Sequence, residues 1–162
     1  MVLIQCSPFE IIMKATFGAG CFWHVEDLLN KTKGVNSTAV GYIGGNLPNP
    51  TYEEVCTDKT GHAEAVEVDY NPDEISFEEL LDVFWSNHNP TTLNRQGPDV
   101  GIQYRSAIFY HDDKQKEIAE NSKQSLEKSG KFQDPIVTEI VPASTFYKAE
   151  EYHQKYFKKQ GF

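Results

Sequence analysis

Cysteine and positive charge are both scarce in this chain. Its 162 residues include three cysteines, Cys6, Cys21 and Cys56, and no Cys-x-x-Cys pair. Such an odd, widely spaced set indicates neither a disulfide framework nor a zinc site, and fits a reducing, cytoplasmic setting. The histidines His62, His88, His111 and His153 are scattered, with no two at ligand spacing, so no metal is expected. Fifteen Lys and Arg stand against 24 Asp and Glu, a net charge of −9. That excess of negative charge would repel nucleic acid and anionic membranes. No apolar run is long enough to span a bilayer. The apolar patch at Val2 to Ile4, followed by Ile11 and Ile12, lacks the basic start and continuous core of a signal peptide. There is also no internal repeat, low-complexity tract or Pro/Gly-rich linker. The expected organisation is an N-terminal extension over residues 1–13 and one domain over 14–162, long enough to bury a core without staples.

Hydrophobic periodicity divides that domain into alternating element types. Lys14 to Phe17 reads as a strand, and Val25, Leu28, Leu29 and Thr32 recur at helical spacing before Gly34. Ser37 to Ile43 reads as a second strand, and Gly44 to Pro50 as a loop. Residues 62–70 alternate, with His62, Glu64, Val66, Val68 and Tyr70 on one face. Ser76 and Glu79 form a capping box for a helix whose apolar stripe is Phe77, Leu80, Leu81 and Phe84. Asn87 to Gly101 is loop, and Tyr104 to Tyr110 a strand. A polar helix over 113–129 follows, then a strand near 136–141 and a helix over 145–156. The first six elements run β-α-β-β-α-β, which predicts an α+β fold with a ferredoxin-like core, a mixed sheet and extra C-terminal elements.

Two residues stand out chemically. Cys21 lies where Gly18-Ala19-Gly20 turns into the first helix, with Phe22 and Trp23 directly behind it. A thiol there faces unpaired N–H groups and the positive end of the helix dipole, both of which favour thiolate. The competing reading is a buried structural cysteine. Glu64 shares a strand face with Val66 and Val68, whereas Glu67 and Asp69 point the other way. A carboxyl on an apolar face is pushed toward its neutral form and can then donate a proton; at a strand end it would simply be solvated. Phe22 and Trp23 are either core aromatics or apolar walls beside the nucleophile.

The run Gly20-Cys21-Phe22-Trp23 resembles the signature of the peptide methionine sulfoxide reductase A family. The likeness continues through Gly41-Tyr42-Ile43-Gly44-Gly45, Asn49-Pro50-Thr51-Tyr52, Thr60-Gly61-His62-Ala63-Glu64, Gln96-Gly97-Pro98-Asp99 and Gln103-Tyr104-Arg105-Ser106, ending with Ala149-Glu150-Glu151-Tyr152-His153-Gln154. The blocks stand in the family's order from Lys14 to the C-terminus. The resemblance implies the same fold and a catalytic domain that reduces the S epimer of methionine sulfoxide, free or in oxidised proteins. In that reading Cys21 is the nucleophile that becomes a sulfenic acid, and Glu64 is the acid. Tyr52 and Tyr104 donate to the sulfoxide oxygen, Asp99 completes the constellation, and Phe22 and Trp23 pocket the methyl group. No bound cofactor is implied, but an external thiol is: thioredoxin, glutaredoxin or glutathione.

The chain departs from relatives that carry resolving cysteines in a C-terminal tail, since it finishes Lys159-Gln160-Gly161-Phe162. His24 occupies a position where some relatives have cysteine, and Asn89 one where aspartate is frequent. Cys56 is read most simply as a buried structural thiol and otherwise as the resolving one; Cys6 could act only if its arm folds back. An external thiol attacking Cys21 directly is the alternative. Two other functions use the same residues. One is acyl transfer by Cys21 with His62 and Asp99; the other is a non-enzymatic reader of oxidised methionine.

Overall fold

The structure, a computed structural model, describes residues 11–161. Its centre is strand β1, Met13–Ala19, in which Ala15 and Phe17 point into the core. Helix α1 (Phe22–Asn30) crosses the sheet to β2 (Val35–Ile43). The chain returns by a short helix α2 (Tyr52–Cys56) into β3 (Ala63–Tyr70), which lies between β1 and β2 and is antiparallel to both. Helix α3 (Phe77–Ser86) and a hairpin of β4 (Arg95–Gln96) and β5 (Asp99–Val100) lead to β6 (Ser106–Tyr110), antiparallel to β1. Strands β6, β1, β3 and β2 stand side by side in that order, so the expected split βαββαβ arrangement is the core.

The C-terminal elements widen this sheet. Helix α4 (Asp113–Lys128) carries the chain back so that β7 (Glu139–Pro142) runs parallel to β6, which makes the sheet mixed. On the other edge β8 (Tyr147–Lys148) pairs with β2. Beyond it come a 3₁₀ turn, Glu151–His153, and a short helix α5, Tyr156–Lys159. The helix expected over 145–156 is therefore a strand and a turn. Gln154 shows why: its side chain bonds Val40 N–H and C=O and the Ala149 carbonyl, so the segment is laid along β2 rather than wound on itself. Similarly, Tyr104 belongs to a 3₁₀ turn, Ile102–Tyr104, and the strand starts at Ser106.

Packing follows the alternation. Phe17, Val66, Val68 and Ile108 meet Phe22, Leu29, Leu80, Leu81 and Phe84 from the helices. Each such side chain contributes roughly 1.5–3 kcal/mol by leaving water. The Phe17 ring lies 5.2 Å from Phe84 and 6.1 Å from Phe77, fixing α3 against β1. Ile43, Ala63, Ala65, Ala107 and Phe109 form a smaller cluster on the opposite face, packed against Val141, Ala143 and Phe146. The Ser76–Glu79 capping box is present, and a second, Thr51–Glu54, starts α2. Among the described residues no helix is long and apolar enough to cross a membrane.

Candidate active site

Cys21 is the residue on which β1 becomes α1. Gly20 makes that turn at φ +90°, and a Cβ there would come within 2.7 Å of Gln96 Cγ. Glycine is needed twice over: for the left-handed backbone and for the close approach of the β4–β5 hairpin. Cys21 takes the N-cap position, with its sulfur facing the Trp23 and His24 N–H groups. Those donors lower its pKa, as a helix N-terminus should. Burial outweighs them, and with the nearby carboxyls of Glu64 and Asp99 it pushes the thiol up to about 11. The expected thiolate is thus corrected: the resting group is a thiol, because removal from water costs the charged form more than two backbone dipoles return.

Glu64 sits in β3 opposite Tyr42, only 1% exposed. Its Oε1 accepts the Phe22 N–H at 3.3 Å, which ties it to the residue after Cys21. Oε2 has no hydrogen-bond partner among the described residues. Burial raises the Glu64 pKa to about 8; the Phe22 N–H opposes the shift and Asp99 adds to it. A buried, neutral carboxyl follows directly from the strand alternation, and the solvated alternative is excluded.

The remaining residues converge from α2 (Tyr52), the 3₁₀ turn (Tyr104), β5 (Asp99) and the start of α1 (Phe22 and Trp23). The Tyr104 phenol lies in the field of Glu64, Cys56, Asp99 and Cys21, and burial with these charges pushes it up to about 12. The Tyr52 phenol, also raised, chiefly by burial, bonds the Cys56 sulfur and faces Glu64 and Tyr104. Asp99 and Cys21 border an apolar cavity of about 450 Å³ between α1, α3 and the hairpin, lined by Val25, Leu28, Val83, Phe84 and Pro98 among others. Phe22 is fully buried against Tyr42 and His153, so it backs the site from within the core. Trp23 is half-exposed and stacks on Tyr156 with ring centres 3.9 Å apart.

Cys56 is exposed rather than buried, because α2 ends with it at the rim of the site. Cys6 lies outside the described residues. His62 bonds Gly45 N–H through Nδ1 at 3.0 Å and the Leu47 carbonyl through Nε2 at 2.7 Å. With both nitrogens committed to the 45–47 loop it cannot serve Cys21 as base, which removes the acyl-transfer triad. Among the described residues no group of three or more His, Cys, Asp or Glu could hold a metal ion.

Sequence reasoning assigned no role to several residues that shape this site. His153, 1% exposed, accepts the Trp23 indole N–H at Nδ1 across 3.0 Å, and its ring centre lies 4.4 Å from Tyr52. Because Nδ1 accepts the indole N–H it carries no proton, which puts the ring's proton on Nε2; burial lowers the pKa. Glu150 bridges Tyr42 Oη at 2.8 Å and the Tyr52 N–H at 2.9 Å. The signal available was the Glu150-Glu151-Tyr152-His153-Gln154 block itself, a cluster of hydrogen-bonding side chains within the segment read as a helix.

Comparison with known proteins places this arrangement. Residues 13–161 match the family described as peptide methionine sulfoxide reductase. A peptide methionine sulfoxide reductase MsrA of Methanothermobacter thermautotrophicus is 66% identical over 146 residues, covering 90% of this chain and 86% of the relative. Among solved structures, methionine sulfoxide reductase A of Corynebacterium diphtheriae superposes with TM-score 0.82 at 41% identity, covering 93% of this chain and 76% of its own. Mxr1 from Saccharomyces cerevisiae in complex with Trx2 superposes with TM-score 0.65 at 28% identity, over 92% and 86% of the two chains.

Proposed function

The chain belongs to the peptide methionine sulfoxide reductase family, and we propose that it reduces methionine S-sulfoxide, free or in oxidised proteins, with Cys21 as nucleophile and Glu64 as acid. One observation carries this assignment of roles: a buried carboxyl with pKa near 8 hydrogen-bonded to the residue that follows a helix-capping cysteine. At neutral pH that carboxyl holds a proton which it can pass on.

The reaction balances without a cofactor. The sulfoxide oxygen enters beside Glu64, Tyr52 and Tyr104, whose O–H groups donate to it as negative charge develops. The Cys21 sulfur attacks the sulfoxide sulfur while Glu64 protonates the oxygen. That attack joins the two sulfurs, and the substrate's sulfur–oxygen bond breaks with the oxygen leaving as water. Water adds to the Cys21 sulfur as the sulfur–sulfur bond breaks, methionine leaves, and Cys21 is left as a sulfenic acid. The thiol's proton replaces the one Glu64 gave up, so no net proton is taken from solvent. Trp23, backed by Phe22 and His153, offers an apolar wall for the substrate's methyl group.

The thiol is then restored from outside the chain. A thioredoxin-type dithiol is the proposed reductant, and the similarity to Mxr1 solved with Trx2 supports it. Cys56, exposed and bonded to Tyr52, is proposed to intercept the sulfenic acid first. Water leaves, a Cys21–Cys56 disulfide forms, and the external dithiol opens it. A reducing cytoplasm suits this cycle.

The test supplies each separated epimer of a methionine sulfoxide peptide, with dithiothreitol, and quantifies methionine. Turnover of the S epimer alone is the expected result. Binding without turnover of either epimer would replace the enzyme by a reader of oxidised methionine.

A further inference from the structure

Glu26 is a carboxylate in an unusual place. It lies on α1, one turn after Trp23, and is 1% exposed. A polar group so far from water persists only where hydrogen bonds compensate it. Both oxygens are engaged: Oε2 accepts the Thr38 hydroxyl at 3.0 Å, and Oε1 accepts the Lys155 backbone N–H at 2.5 Å. Lys155 is itself strained, a non-glycine residue in the left-handed region at φ 51°, and its Nζ bonds the Thr38 carbonyl at 3.3 Å. Such a backbone conformation is kept only where its surroundings hold it.

What the clip holds in place is the Trp23 indole. Lys155 stands two residues after His153, which accepts the Trp23 indole N–H, and one before Tyr156, which stacks on the Trp23 ring at an interplanar angle of 12°. The indole is thus gripped at its N–H and its face by two residues of the C-terminal segment. That segment is fastened to α1 next to it through Glu26. Nothing in the reaction proposed above uses Glu26.

We propose that Glu26 is a positioning residue: by clipping the C-terminal segment to α1 it fixes His153 and Tyr156, and through them the Trp23 indole that faces the substrate. The role of Trp23 as a substrate wall rests on the function proposed above; the mechanical link from Glu26 to the indole does not.

Two tryptophans make the link measurable. Trp85, on α3, donates its indole N–H to Ser122 Oγ on α4 at 2.8 Å, apart from the clip. In a ¹H–¹⁵N spectrum of the full chain, Glu26→Ala is expected to move or broaden the Trp23 indole N–H signal and leave that of Trp85 in place. Glu26→Gln keeps an acceptor for Lys155 N–H and is expected to restore the signal. KM for a sulfoxide peptide should rise about tenfold in Glu26→Ala with kcat nearly unchanged, the pattern of lost binding alone. An unmoved Trp23 signal, or equal movement of both tryptophans, overturns the proposal. A kcat loss that Glu26→Gln does not rescue also overturns it. If the parent itself reduces no sulfoxide, the functional reading fails, while the indole signals still decide the clip.

Discussion

The Phe22 backbone N–H and the Glu64 carboxyl meet at 3.3 Å, although 42 positions separate them. This bond joins the first turn of α1, where Cys21 sits, to β3, one of the two central strands of the sheet. It is also the only hydrogen bond the Glu64 carboxyl receives among the described residues, and one neutral donor is too little to keep a carboxylate charged in the core.

A stability prediction follows from the raised Glu64 pKa. In the unfolded chain the carboxyl ionises near 4.5, in the folded one near 8. Between those values the folded state binds more protons than the unfolded one, so stability falls as pH rises through that window. Removing the ionisable group removes the loss. Glu64→Gln is expected to melt higher than the parent at about pH 8, with the gap closing toward about pH 4. Thermal melts of the two proteins across that range check it; a gap that is constant with pH would contradict a buried acid.

The two tyrosines are expected to act on the chemical step. Tyr52→Phe and Tyr104→Phe each remove one O–H donor while preserving ring packing. Each should lower kcat about a hundredfold with KM little changed, as loss of a donor to developing charge does. Steady-state kinetics on one sulfoxide peptide distinguish this from a binding role, in which KM would rise instead.

Mass spectrometry reports how Cys21 is regenerated. After one equivalent of sulfoxide without reductant, the protein is expected to be lighter by two hydrogens, with Cys21 and Cys56 in one cross-linked peptide. Cys56→Ser should instead hold the added oxygen on Cys21. A parent protein that keeps that oxygen would show the external thiol attacking Cys21 directly.

Gly20→Ala tests the turn that presents Cys21. A methyl group at φ +90° is strained and would press on Gln96 at 2.7 Å. The expected cost is roughly 1–3 kcal/mol of stability, measured by denaturant unfolding, together with lower activity as the hairpin carrying Asp99 is displaced.

The sequence was most legible where one local rule acts alone. Alternation put Glu64 among Val66 and Val68, and the glycine turn put Cys21 at a helix start. The split βαββαβ order held because each element announced its own period. Competition between effects hid the rest. Cys21 has the expected helix N–H groups, but burial overrides them. Cys56 is an apolar-looking thiol whose exposure depends on a five-residue helix too short to show a period. The segment 145–156 has helix-forming residues, yet Gln154 binds it along β2 and His153 anchors it to Trp23, long-range contacts that no local pattern encodes.

The central claim is that Glu64 supplies the proton as Cys21 attacks, and single-turnover methionine release tests it most directly. Reduced parent and Glu64→Gln proteins, each in excess over an S-sulfoxide peptide, would be quenched at short times from about pH 6 to about pH 9, a range that brackets the Glu64 pKa. The parent rate should hold steady and then fall through about pH 8, where Glu64 loses its proton. The variant should be slower by about a hundredfold or more, with that fall gone. Equal rates and identical pH profiles in the two proteins would contradict the account.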